Sequence, residues 1–256
     1  MISMYPIIAG SRKEGFLNEY SFLFDGVDEN INIPDDASLD FTTKLTVSAW
    51  IKQTSLGIDK AIVVKWDYNT QGSWGFQTDA TYSDELRVFL ADSLTDSGVN
   101  WESTTAANLI AGNWYNTIFV YDGGGATDPD KLKIYVNGVN QTLYFNGTIP
   151  ASLQNSSASL KIGKFGGILY RFFDGNIDEV GLFNTDLNAA QISEIYNSGT
   201  PKNLLNHSAS ANLVSYFRMG DGDTWGGTNW TVIDNKGTNN GTSVNMEEAD
   251  RVLDVP

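Results

Sequence analysis

Four aspartates and four tryptophans carry most of the chemistry on offer in this sequence. Asp25 and Asp28 fall in the segment FLFDGVDENINI, Phe22 to Ile33. Asp174 and Asp178 fall in FDGNIDEVGLFN, Phe173 to Asn184. Carboxylates are the hard oxygen donors that Ca²⁺ collects in sets of about six to eight, together with carbonyls and water. The same residues have a plainer use, because Asp25-Gly26 and Asp174-Gly175 are turn formers and Asp178 can accept backbone N–H groups. Asp221-Gly-Asp223 lacks the later bidentate Glu of an EF-hand and reads as a turn. The tryptophans suggest sugar binding, in which an exposed ring stacks on the apolar face of a sugar while polar neighbours orient it. Trp225 and Trp230 bracket a Gly-rich stretch, Trp66 opens Trp66-Asp-Tyr-Asn69, and Trp101 precedes Glu102. The alternative is that these rings cover sheet edges or fill subunit contacts, as Trp50 and Trp114 should in their strand patterns.

Other chemistries are disfavoured. The chain has no Cys, so thiolate metal sites and thiol nucleophiles are absent, and a single His rules out a poly-His zinc site within one chain. That residue, His207, reads as an exposed turn residue with no partner for a Ser-His-Asp triad. Asp178 and Glu179 are adjacent carboxylates, which strict strand alternation would send to opposite faces, unable to converge on one bond. We therefore expect no catalytic activity. The formal charge of −15 argues against nucleic acid and against an anionic membrane surface, and favours solubility and cation binding. No apolar run is long enough to span a bilayer, and Met1 to Ile8 lack the basic and apolar regions of a signal peptide. The expected locations are inside a cell, or outside it by lysis, a signal-less route or assembly into a particle.

The elements that would position these residues are strands. Lys44 to Lys52 alternates, with Leu45, Val47, Ala49 and Ile51 on one side and Thr46, Ser48, Trp50 and Lys52 on the other, which predicts a half-buried strand. Similar runs span 60–66, 74–78, 85–91, 114–121, 131–136, 159–163, 176–183 and 213–218. Asn137-Gly138 is the pair that a type I′ hairpin needs. Asn188 to Asn197 predicts the one helix, N-capped by Asn188, with Ile192, Ile195 and Tyr196 on one face, and stopped by Ser198-Gly199 and Pro201. From Asp221 onward the chain reads as long loops with one or two edge strands. Many short strands with turn signals predict an all-β sandwich or barrel of about one domain's length.

The order of three motifs is more specific than the composition. Phe22-Leu-Phe-Asp-Gly-Val-Asp, then Leu45-Thr-Val-Ser-Ala-Trp-Ile, then Phe173-Asp-Gly-Asn-Ile-Asp-Glu-Val followed by Leu187-Asn-Ala-Ala-Gln-Ile192, resembles the laminin G-like domains of the concanavalin A-like superfamily. The resemblance implies a two-sheet antiparallel jelly roll over residues 20–220, with an N-terminal arm at 1–19 and a C-terminal tail at 221–256 packing on the sandwich or on a neighbour. It also implies that the first and third motifs lie side by side, where similar domains hold a structural Ca²⁺ with residues such as Asp25, Asp28, Asp174 and Asp178. The Glu-x-Asp-x-(x)-Glu pattern of glycoside hydrolases on this fold is missing. The ending, from Leu213-Val-Ser-Tyr-Phe-Arg-Met-Gly-Asp-Gly through Ile233-Asp-Asn-Lys-Gly to Asp254-Val-Pro256, resembles laminin G-like proteins encoded by marine bacteriophages. That likeness implies a non-enzymatic virion accessory protein on a capsid, tail or fibre, contacting other virion subunits, self-associating, and presenting loops to host surface glycans. The alternative is a free or secreted bacterial lectin of the same fold, which would be extracellular.

Overall fold

Leu45, Val47, Ala49 and Ile51 all point into one apolar core, as their alternation predicts. They belong to β3 (Lys44–Gln53) in a computed structural model that describes residues 16–67, 71–79, 85–92, 100–104, 107–167 and 171–256, with the backbone alone for 100–103. Among the described residues, one sheet has eight strands and the other ten. The first runs β10 (Val139–Asn140), β9 (Leu132–Val136), β8 (Trp114–Asp122), β3, β13 (Asp174–Phe183), β1 (Ser21–Asp25) and β18 (Arg251–Val252), and β14 (Leu213–Phe217) also pairs with β13. The second runs β11 (Leu143–Asn146), β7 (Asn100–Thr104), β6 (Leu86–Leu90), β5 (Gln71–Thr78), β4 (Ala61–Asp67), β12 (Leu160–Ile162), β2 (Asn30–Ile33), β17 (Gly241–Val244), β16 (Trp230–Val232) and β15 (Thr224–Trp225). The strand pairs are antiparallel throughout, so the chain is the two-sheet sandwich that the family resemblance implies, one of the two architectures that the strand pattern allows. No helix of the described residues is long and apolar enough to cross a membrane.

The core fills with side chains from both inner faces, among them Phe22, Phe24, Ile31, Ile33, Trp74, Phe76 and Phe119. Asn137 and Gly138 both take positive φ between β9 and β10, as the hairpin requires. The outer face of the first sheet is also dry. There α2 (Ala189–Tyr196), preceded in the chain by the single turn α1 (Asp128–Lys131), lays Ile192 and Ile195 on Ile118, Val120, Phe183 and Tyr216. Asn188 caps α2 by accepting the N–H groups of Ala190 and Gln191, and Trp50 stacks on Tyr196 with centroids 6.1 Å apart. The strand that reads as half-buried is therefore buried on both faces, because a helix too short to stand alone covers its polar side.

Two expectations need correction. The tail, which reads as long loops with one or two edge strands, carries four short strands, two at sheet edges and two inside a sheet. It supplies β15, β16 and β17 to one sheet and β18 to the other, and it places Trp230, Val232 and Met246 in the core. Its anchor is Asp234, whose carboxylate accepts the N–H groups of Tyr216, Lys236, Gly237 and Asn239 at 2.9–3.1 Å. His207 is not an exposed turn residue either. It is 2% exposed, its Nδ1 accepts the Ala209 N–H at 3.0 Å, and its Nε2 donates to the Gln191 carbonyl at 3.0 Å, so the proton sits on Nε2. Of the arm, residues 16–19 lie against this same chain, and 1–15 are outside the described residues.

Candidate functional site

The four aspartates occupy neighbouring strands without forming one donor set. β1 pairs with β13 as the motif order implies, and Asp25 and Asp174 are register partners. Asp178 lies four residues further along β13, about 13 Å away at the rise of a strand. Three of the four carboxylates have in-chain company. Asp25 Oδ1 accepts Val27 N–H at 2.8 Å and Asp28 N–H at 3.3 Å. Asp174 Oδ2 accepts Ser55 Oγ at 2.9 Å and the Lys60 ammonium at 3.2 Å. Asp178 is fully buried and accepts Asn18 Nδ2 and the Glu179 N–H. Asp28 is exposed in the β1–β2 turn. Among the described residues no three acidic or His side chains are gathered around a point where a metal could sit. A Ca²⁺ ligated by all four aspartates does not fit this arrangement, because strand register keeps Asp178 apart and Lys60 already neutralises Asp174.

Asp178 and Glu179 depart from strict alternation. Ile177 and Val180 both enter the core, so the two residues between them share the outer side. The cause is a β-bulge, with Glu179 at φ 49° and a register shift against β3 between Asp178 and Gly181. Nothing in the residue types announces it. The adjacent carboxylates thus lie on one face, but both are sealed. Glu179 accepts from the Tyr216 hydroxyl and from Arg218 Nε at 3.3 Å. Arg218 reaches on to Asp221 at 2.9 Å and to the Leu17 carbonyl, with its guanidinium over Phe16. Burial, together with the charge of Glu179, pushes Asp178 well above the carboxylate range. Burial also raises Glu179 to about 7 against the pull of Tyr216 and Arg218, and raises Asp223 to about 6 against the N–H groups of Ile233 and Gly220.

The tryptophans divide by exposure. Trp66 is 4% exposed, packed at 6.0 Å on Phe165 with its ring over Gly72, where a side chain would collide with it. Trp230 is 1% exposed and wedged against Phe22 at 5.3 Å. Neither offers a ring face to a ligand. The backbone of Trp101 pairs with Phe89 and Asn146, and its side chain lies outside the described residues. Trp225 alone of the four is placed half-exposed. It faces Trp230 across the β15–β16 hairpin, with centroids 5.5 Å apart.

Trp225 lines a surface cleft of about 490 Å³ with Gly227, Thr228, Asn245, Met246, Glu247 and Glu248. The volume is of the size that holds a small ligand. The hairpin supplies one wall, and the segment following β17 supplies the other. The walls are tied by Trp230 Nε1, which donates to the Glu247 carbonyl at 2.9 Å, while Trp230 N–H donates to Ser243 at 2.7 Å. Thr228, Asn245, Glu247 and Glu248 are exposed, so an aromatic floor is rimmed by hydroxyl, amide and carboxylate. Thr228 follows Trp225 by three positions, but the rest of the rim, Asn245 to Glu248, lies some twenty positions beyond it with no motif to connect them; only the two indoles are visible in the sequence.

Another face of the described residues brings aromatic and polar groups together. On the outside of the second sheet, Arg87 and Arg171 each lie 5.8 Å from the Phe89 ring. Their guanidinium groups are engaged, Arg171 with Asp59 at 3.0 Å and Arg87 with Asp79, and beneath them Trp66 and Phe165 are buried.

Residues 25–193 match the Laminin_G_3 family model of the concanavalin A-like lectin/glucanases superfamily. No curated protein matches the chain in sequence. Among solved structures, it is similar to a candidate carbohydrate binding protein from Bacteroides ovatus, with a TM-score of 0.65 and 18% identity over 89% of this chain. The chain spans 58% of that protein's length. The heptameric SAP-like pentraxin from Limulus polyphemus aligns at a TM-score of 0.51 and 15% identity, covering 70% of this chain and 82% of its own. The CBM40 of the Ruminococcus gnavus IT-sialidase, bound to α2,3-sialyllactose, aligns at 0.50 and 10%, covering 69% and 97%. At such identities these structures share the fold. The family match covers most of the sandwich and stops short of the Trp225 cleft, and the chain belongs to the concanavalin A-like lectin/glucanases superfamily.

Proposed function

We propose that this protein is a non-catalytic carbohydrate-binding module that holds a glycan in the Trp225 cleft. The observation that carries the reading is the half-exposed indole, braced from behind by Trp230 and rimmed by Thr228, Asn245, Glu247 and Glu248. A ring fixed in this way stacks on a sugar with little loss of side-chain freedom, and the rim supplies donors and acceptors for its hydroxyls. The carbohydrate-bound CBM40 of the same fold supports the reading at the level of the fold. Binding to a glycan array, with Trp225→Ala beside the native protein, tests it. The expected result is a set of glycans whose binding falls at least tenfold in the variant. Binding that survives Trp225→Ala would place the site elsewhere.

The resemblance of residues 213–256 to phage-encoded proteins supports a location for such a module, on a virion where it would meet host surface glycans and neighbouring subunits. Self-association is part of that reading. Sedimentation equilibrium should then show a defined oligomer, and a monomer at all concentrations would contradict it.

A further inference from the structure

The Trp225 cleft also points to the class of glycan, an inference that rests on its being the binding site. Its lining carries two exposed carboxylates, Glu247 and Glu248, and no basic side chain. Arg251 is not among the lining residues, and its guanidinium is engaged with two rings, 4.9 Å from the Trp230 centroid and 4.5 Å from the Tyr20 centroid. The chain as a whole carries −15, so the field over the rim is not reversed from a distance. A sugar carboxylate or sulfate entering this cleft would lose water and meet like charge, with no arginine or lysine to pair with. Neutral hydroxyls find acceptors in Glu247, Glu248 and Asn245 and a donor in Thr228 or the Asn245 amide. An amino group finds a direct ionic partner.

We propose that the cleft selects neutral and amino-bearing glycans and rejects those carrying carboxylate or sulfate groups. The selection is a feature of the C-terminal segment, since every lining residue lies beyond the 25–193 stretch that matches the family. Charge repulsion here is the specificity element, and the stacking platform is indifferent to it.

The test uses the full chain on an array of neutral, amino-bearing, sialylated and sulfated glycans, with Trp225→Ala and the double variant Glu247→Gln/Glu248→Gln. Lactose, 3′-sialyllactose and a glucosamine oligomer serve as matched probes in solution. The proposal expects Trp225-dependent binding confined to neutral and amino-bearing glycans. It expects the double variant to bind amino-bearing glycans roughly five-fold more weakly at low salt, with neutral glycans little changed. Trp225-dependent binding of sialylated or sulfated glycans as tight as that of their neutral counterparts would overturn the selectivity and leave the site standing. The absence of any Trp225-dependent binding would overturn both.

Discussion

Two of the described regions set carboxylates beside aromatic rings and differ in exposure: the Asp178–Glu179 pair is buried, and the Trp225 cleft is open. In the Asp178–Glu179 region every acid faces an in-chain donor. Asn18, Tyr216 and Arg218 close over the pair, which is at most 3% exposed. In the Trp225 cleft, Glu247 and Glu248 are exposed and the ring beside them is half-exposed. The difference teaches how to weigh an acidic sequence. A carboxylate whose hydrogen-bonding capacity is filled by its own chain is part of the scaffold, and one left facing solvent beside a rigid ring is available to a ligand.

The comparison is broken most severely on the closed side. Glu179→Ala should cost about 3–5 kcal/mol of stability, because it removes a buried partner of Arg218, which keeps only Asp221 and the Leu17 carbonyl, and leaves the Tyr216 hydroxyl unsatisfied. Trp230→Ala should cost a similar amount, about 3–5 kcal/mol, by emptying core volume beneath the cleft. Urea unfolding measures both, and a loss under about 1 kcal/mol for either would show that the region is not closed as described. Trp225→Ala should cost about 1–2 kcal/mol by the same measurement, less than Trp230→Ala, while abolishing glycan binding, since the ring is half-buried against the core.

A smaller effect follows from titration. Burial, reinforced by Asp250 and Asp25, pushes Glu29 up to about 8, and burial pushes Glu179 to about 7 and Asp223 to about 6. A raised carboxyl binds its proton in the folded state at a pH where the unfolded chain has released it. These groups therefore contribute stability that is fully present below about pH 4.5 and is lost as pH rises through about 6 to 8. Thermal unfolding should occur a few degrees lower at pH 8 than at pH 5, and Glu29→Gln should flatten that slope. A melting temperature that rises over the same interval would contradict the assignment. The smallest effect belongs to Asp28, exposed in a turn. Asp28→Asn should change stability by under about 0.5 kcal/mol, equally in calcium and in EDTA. A loss confined to calcium would restore a metal at the four aspartates.

The sandwich was legible because period-2 alternation is physically enforced wherever a strand covers a core. Leu45 to Ile51, Leu86 to Leu90 and Leu132 to Val136 all read correctly for that reason. The bulge at Glu179 was not legible, since a single residue at positive φ carries no compositional mark unless it is Gly or Asn. Of the tail strands only one or two at an edge were legible, because all are two to four residues long and broken by Gly and Asn, and the pairing of the interior ones is decided by Asp234 and Trp230 rather than by local pattern. Of the site, Trp225 was visible as one indole in a Gly-rich loop. Its partition from Trp230, and the rim from Asn245 to Glu248, depend on tertiary placement that no spacing encodes.

The central claim is that the open region, not the outer face of the second sheet, is where glycan binds. Its most direct test is chemical-shift mapping of the ¹⁵N-labelled protein titrated with the strongest ligand found on the array. The account predicts shifts centred on the Trp225 indole N–H and on Gly227, Thr228 and Asn245. Shifts centred on Arg87, Phe89 and Arg171, with Trp225 unmoved, would contradict it.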